Sequence, residues 1–167
     1  TGTDRVAQAA RLLAPRPDVV VNLQADAPLI EPAAIEALVA AVRAGAQMAT
    51  LARPLEDGEG ERPQVVKVVT DLAGDALYFS RAPIPYRRSG GGSSAARAHL
   101  GIYAFTADFL ERFAGLSRGV LEREEALEQL RVLEHGLKIR VVDTGYKGFG
   151  VDTPEDLERA RALVAAG

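Results

Sequence analysis

VVVNLQADAPLIEP, residues 19–32, is the stretch on which the fold assignment turns. Three valines, an amide and a leucine form a short apolar run of the kind that a buried strand requires. Gln24 and Asp26 follow directly. Pro28 to Pro32 then turn the chain toward a helix, and Pro32 suits that helix's first turn because its missing N–H would go unpaired there anyway. Ile35, Leu38, Val39 and Val42 give the helix one apolar face, and Gly45 ends it. Upstream, Thr3 and Asp4 can cap a helix running to about Leu13, with Val6, Ala10 and Leu13 on one face, before PRPD breaks it. The series is therefore helix, strand, helix.

The remainder continues this alternation. Met48–Ala52, Val65–Thr70 and Ala76–Ser80 read as strands, separated by the polar loop EDGEGER and the turn DLAGD. SGGGSSAAR, residues 89–97, contains three successive glycines, whose backbone entropy favours a mobile loop. His99–Phe105 is a further strand. Thr106–Phe113 is a short helix, Leu121–Glu134 a longer single one, and Leu137–Asp143 a strand. In the closing helix Thr153 is placed as N-cap, Pro154 as N1 and Asp156 as the N3 acid. Strands alternating with helices predict one α/β domain over 1–167, its sheet mixed and mostly parallel, with helices on both faces.

The composition narrows the function. With 167 residues, 47% hydrophobic and 26% charged, the chain can bury a core of its own. It has no cysteine, which excludes disulfides, thiolate metal sites and cysteine nucleophiles and suits a cytoplasmic location. A formal charge of -3 provides no basic field for nucleic acid, and no eighteen-residue apolar run predicts a membrane span. In open α/β sheets ligands bind beyond the carboxyl ends of strands, where Asp26 falls. Asp152, just before the capped final helix, is a second acid in a comparable place. Together the two could share a divalent cation. Taken singly, Asp26 could instead accept backbone N–H bonds in its turn, and Asp152 could cap the helix entry.

NLQADAPLI, VVKVV, ALYFSRAPIPY, HLGIYAF, LEREEALEQLR and GVDTPEDLERARAL, in this order and across nearly the whole chain, resemble the 3-deoxy-manno-octulosonate (KDO) cytidylyltransferases. GVDTPEDL-like ends occur across nucleotide-sugar pyrophosphorylases, whereas FSRAPIP together with HLGIY and LEQLR is more specific. The resemblance implies a Rossmann-like nucleotide-diphospho-sugar transferase fold. It also implies a reaction in which CTP and the sugar acid KDO give CMP-KDO, a lipopolysaccharide precursor, and pyrophosphate, with Mg²⁺. By the same resemblance Asp26 and Asp152 bind the metal, Gln24 faces sugar or nucleotide, Glu128 and Gln129 contact KDO hydroxyls, and His99 and Tyr103 line the sugar pocket. Arg81 suits an anionic ligand, and the protein is expected to be a homodimer that touches neither nucleic acid nor membrane.

The residues themselves also allow blander roles. Glu122, Glu124, Glu125 and Glu128 form an acidic helix face of the kind that is usually solvated. Arg81 could pair with an exposed acid, His99 could satisfy a carbonyl, and strand aromatics are most often core. Two departures from the family pattern stand out. QADAP replaces the family's common QGDEP, so Ala25 adds a methyl group where backbone approaches ligand and Ala27 lacks a carboxylate. The family's triphosphate loop lies upstream of TGTDRV, which predicts that this chain is the C-terminal part of a longer nucleotidyltransferase domain. The alternatives are another sugar or sugar-acid nucleotidyltransferase, or a non-catalytic remnant or binding module.

Overall fold

The computed structural model describes residues 2–24, 29–86, 88, 95–147 and 154–165. In chain order its elements are α1 (Gly2–Arg11), β1 (Val19–Asn22), α2 (Pro32–Arg43), β2 (Met48–Pro54), a 3₁₀ turn at Glu59–Glu61, β3 (Lys67–Thr70), β4 (Ala76–Ser80), β5 (Arg97–Thr106), α3 (Ala107–Ala114), α4 (Val120–Glu125), α5 (Leu130–Glu134), β6 (Arg140–Asp143) and α6 (Pro154–Ala165). Pro32 opens α2 as expected, and Gly45, with φ of 113°, follows its end in a conformation that side chains disfavour. Thr106 caps α3 by accepting the N–H of Phe109 at 3.2 Å. The expected glycine loop falls largely on residues 89–94, and the Thr153 cap on residue 153; both lie outside the described residues.

The long strand β5 organises the sheet. The order is β4-β3-β5-β2-β6, with β1 added to β5. Along one edge of β5 runs β2, while the other edge is shared: β3 pairs with Arg97 and Ala98, and β1 with Tyr103 to Thr106. The sheet is mixed, as expected, but it is not mostly parallel. Among the described residues only β2 and β6 pair in parallel; β1, β2 and β3 all run against β5, and β4 runs against β3. The physical reason for the first reversal is that β4 follows β3 through a tight turn and not through a crossover helix, so the two pair antiparallel.

Period-two alternation sorts the two faces. Ala49, Leu51, Ile102 and Ala104 meet Leu38 and Val42 of α2, together with Tyr146. Met48, Ala52, Tyr103 and Phe105 meet Ala7 of α1, Phe109 and Phe113 of α3, and Leu130 and Val132 of α5. Helices therefore cover both faces. Among the described residues no helix is long and apolar enough to cross a membrane.

The single helix expected over Leu121–Glu134 is instead two, α4 and α5. Ala126 between them is left-handed, with φ 52° and ψ 46°. Its backbone conformation costs a residue with a Cβ roughly 1–2 kcal/mol. The break persists because of what lies on either side of it: buried Glu122 on α4 receives both Nε and Nη2 of buried Arg131 on α5, at 2.7 and 2.6 Å. Ala126 itself is exposed. Ala126→Gly should therefore stabilise the protein by about 1 kcal/mol, read as a higher urea midpoint with unchanged slope.

Candidate active site

β1 stops at Asn22, but β5 continues past it, since Asn22 lies opposite Tyr103 and six further residues of β5 precede that position. β1 therefore ends partway along β5, and positions beyond the carboxyl ends of strands are where α/β sheets bind ligands. Within β5 the register against β2 shifts between Thr50, opposite Tyr103, and Ala52, opposite His99, and Gly101 in the shifted stretch takes φ of 67°. His99 and Tyr103, four residues apart, lie on one face, with ring centroids 5.6 Å apart, and Phe79 of β4 meets His99 edge-on at 4.9 Å.

Tyr103 is 3% exposed, and its hydroxyl donates to Oε1 of Gln129 at 3.2 Å. Burial, and then the nearby Glu128 carboxylate, hold the phenol well above its ordinary pKa, so it is a fixed neutral donor. Gln129 is 2% exposed, and its Nε2 is buried with no hydrogen-bond partner among the described residues. Such an orphan costs about 1–3 kcal/mol unless something completes it. The turn at Ala126 is what brings it here: Leu127 and Gln129 are driven inward while Glu128 stays half-buried.

A second relay adjoins the first. Asn22 Nδ2 donates to Thr3 Oγ1 at 3.3 Å, and Thr3 in turn donates to Glu128 Oε1. Thr3 thus lies inside the first turn of α1, buried, and not at its cap. His99 retains some accessible surface, yet the protein packed around it lowers its pKa to about 3, so the ring is neutral at physiological pH. Its Nε2 lies 2.9 Å from Thr50 Oγ1.

Arg81 follows β4 and is held by α4. Its Nε donates to the carbonyl of Glu125 at 2.9 Å, its Nη1 to that of Pro63 at 3.2 Å, and its backbone N–H to the Glu125 carboxylate, which also accepts from Ser80 Oγ. Lys67, fully buried, donates to the carbonyls of Arg62, Val65 and Arg81. The acidic face expected to be solvated is therefore largely engaged: Glu122 holds Arg131, Glu125 holds the end of β4, and Glu128 accepts from Thr3, leaving Glu124 exposed.

The structure brings His99, Tyr103, Glu128 and Gln129 together, and places Arg81 just beyond β4, the strand whose Phe79 touches the His99 ring. Gln24 is exposed two residues past β1. Asp26 and Asp152 lie outside the described residues, and no cluster of three or more His, Asp or Glu side chains suited to a metal occurs among the described ones. Thr3, Asn22 and Thr50 were not evident from sequence. The single available signal was an amide at the end of a valine run, for Asn22. A cavity of about 810 Å³ lies elsewhere, between the end of α2 and β6, lined by Gly45, Gln47, Asp75 and Arg140 among others, and shares no residue with this cluster.

Residues 1–139 match the family model described as Cytidylyltransferase. The 3-deoxy-manno-octulosonate cytidylyltransferase of Anaeromyxobacter dehalogenans strain 2CP-C is 74% identical over all of this chain, which spans 69% of that relative. The enzyme of the same name from Solibacter usitatus is 50% identical over 99% of this chain and 66% of its own length. Among solved structures, a CMP:2-keto-3-deoxy-manno-octonic acid synthetase complexed with CTP superposes with a TM-score of 0.91 at 39% identity, over 99% of this chain and 68% of that one. A 4-diphosphocytidyl-2C-methyl-D-erythritol synthase from Anaerococcus prevotii, at TM-score 0.58 and 16% identity, shares the fold over 95% of this chain and 64% of its own.

Proposed function

We propose, from the premise that this chain belongs to the cytidylyltransferase family, that it forms part of an enzyme that transfers CMP from CTP to KDO, releasing pyrophosphate. The structural observation that carries this reading is the buried, unpartnered Nε2 of Gln129 beside Tyr103, His99 and Glu128. A polyol suits that lining, because hydroxyls both donate and accept. Relatives bearing the same name at 74% and 50% identity support KDO as the acceptor.

In this reading the anomeric oxygen of KDO attacks the α-phosphorus of CTP, and the bond to the pyrophosphate oxygen breaks. The chain's own contribution is alignment: Gln129 donates to a sugar oxygen, Tyr103 and Glu128 offer acceptors, and Gln24 and Arg81 lie at the margin toward nucleotide or carboxylate. Asp26 and Asp152 would hold Mg²⁺, whose two-carboxylate donor set suits that ion. The topology favours their approach. β1 and β6 both run parallel to β2, so their carboxyl ends share one edge of the sheet. Three strand spacings, roughly 14 Å, separate them. The nine residues from Asp143 to Asp152 can reach about 30 Å, and by Tyr146 the chain has already turned under α2. When bound, the metal would neutralise charge on the phosphate oxygens. The site needs CTP, which is made in the cytoplasm, and we place the enzyme there. A homodimer contact is assigned to β4 and the segment after it, where Leu77 and Tyr86 are 61% and 91% exposed.

Pyrophosphate release by the protein as encoded, with CTP and KDO, sialic acid or a sugar phosphate in turn, tests the reading. Turnover with KDO is expected, and reaction of a sugar phosphate alone would remove it. Gln129→Ala should raise KM for the sugar acid about tenfold, the effect of one lost hydrogen bond, and leave KM for CTP unchanged.

A further inference from the structure

Thr50 sits at the register shift between β2 and β5, wholly buried, with one hydroxyl proton and two neighbours. Its Oγ1 lies 2.8 Å from the carbonyl oxygen of Ile102 and 2.9 Å from His99 Nε2. A carbonyl only accepts, and two oxygens at 2.8 Å with no proton between them repel, so the hydroxyl proton lies toward Ile102. Oγ1 is then the acceptor for His99, and the imidazole proton must be on Nε2. The ring is neutral, which leaves Nδ1 without a proton, and Nδ1 has no hydrogen-bond partner among the described residues.

We propose that Thr50 is a positioning residue that holds His99 as its Nε2–H tautomer, so that Nδ1 remains a bare acceptor for a hydroxyl of the sugar acid. The proposal rests on the functional reading above only for its ligand. The chemistry selects the group recognised. A bare imidazole nitrogen repels carboxylate and phosphate oxygens, which carry only lone pairs, and takes a hydroxyl, which supplies a proton. Gln129 Nε2, a buried donor on the amide that accepts from Tyr103 Oη, complements it by taking an oxygen lone pair. His99 and Gln129 thus form an acceptor and donor pair suited to a polyol face, with the anionic groups of the ligand directed elsewhere. Thr50 and His99 are 49 residues apart, and neither touches the other without the shift in β5 that Gly101 permits.

The second histidine provides an internal standard. His135 Nδ1 lies 2.8 Å from the carbonyl of Arg131, so its neutral form carries the proton on Nδ1, the opposite tautomer. Long-range ¹H–¹⁵N spectra of the ¹⁵N-labelled protein at pH 8 should show one histidine of each kind, with His99 as Nε2–H and unchanged on acidification to pH 5. In Thr50→Val the His99 signals should move to a tautomer mixture, KM for KDO should rise about tenfold, and kcat and KM for CTP should change less than about twofold. Thr50→Ser should restore both the tautomer and KM. An Nδ1–H tautomer in the unaltered protein overturns the proposal, even if the valine variant fails to fold, as does an unchanged tautomer in that variant. So does an Nδ1 resonance that stays still on saturation with KDO while the protein turns KDO over. Absence of turnover with any sugar acid removes the functional reading instead, and the tautomer spectra still decide the role of Thr50.

Discussion

Asp26→Asn should lower Mg²⁺-dependent CMP transfer by roughly a thousandfold, and Asp152→Asn by a comparable factor. Both replacements keep the shape of the side chain and remove its charge. If the two carboxylates hold one ion against the triphosphate, losing either forfeits several kcal/mol of transition-state stabilisation. About 4 kcal/mol corresponds to a factor of 10³ in rate. The check is pyrophosphate release as a function of Mg²⁺ concentration, alongside thermal melting to show that the variants remain folded. Raising Mg²⁺ should recover part of the activity of each single variant, because the partner carboxylate still offers a ligand, and little of the double variant. Unchanged rates in both single variants would remove the metal assignment and leave the proposal for Gln129 and His99 to its own tests, since the bonds Thr3–Glu128, Thr50–His99 and Tyr103–Gln129 join described residues only.

Glu122→Ala should destabilise the protein by about 3–5 kcal/mol, the cost of leaving one member of a buried ion pair uncompensated. Arg131 is 3% exposed and lies 4.8 Å over the ring of Phe113, so its charge has little route to water once the carboxylate is gone. At this size the loss corresponds to roughly 10 °C in Tm. Replacing both, as Glu122→Leu with Arg131→Met, should recover most of the stability, because two apolar side chains of similar volume leave no charge behind. Urea denaturation measures each step. A single variant that loses less than about 1 kcal/mol would show that the pair is not what holds α4 to α5. The same contact bears on function, since the turn it flanks delivers Gln129 to Tyr103. Partial loosening should raise KM for the sugar acid before the protein unfolds.

What was legible in the sequence was local. The valine run, Pro32 and Gly45 specify β1 and α2 through short-range rules of burial, capping and backbone freedom, and the elements appear within a few residues of where those rules put them. The order of motifs identified the family, and His99, Tyr103, Glu128 and Gln129 did converge. Less legible were the reversals of direction that make the sheet largely antiparallel, the left-handed Ala126 that splits one helix into two, and the buried partners of Glu122, Glu125 and Glu128. Thr3, Asn22 and Thr50 entered the site for the same reason.

The sequence by itself thus determined most of the strands and helices, though not the break at Ala126, because periodicity and capping act within a few residues. Only the tertiary structure decided which side chains share protons. Thr3 meets Glu128 across 125 positions, and Thr50 meets His99 across 49. Hydrogen-bond partnership depends on distances of about 3 Å between atoms that no local pattern relates, and those distances exist only once β5 has been laid against β1, β2 and β3.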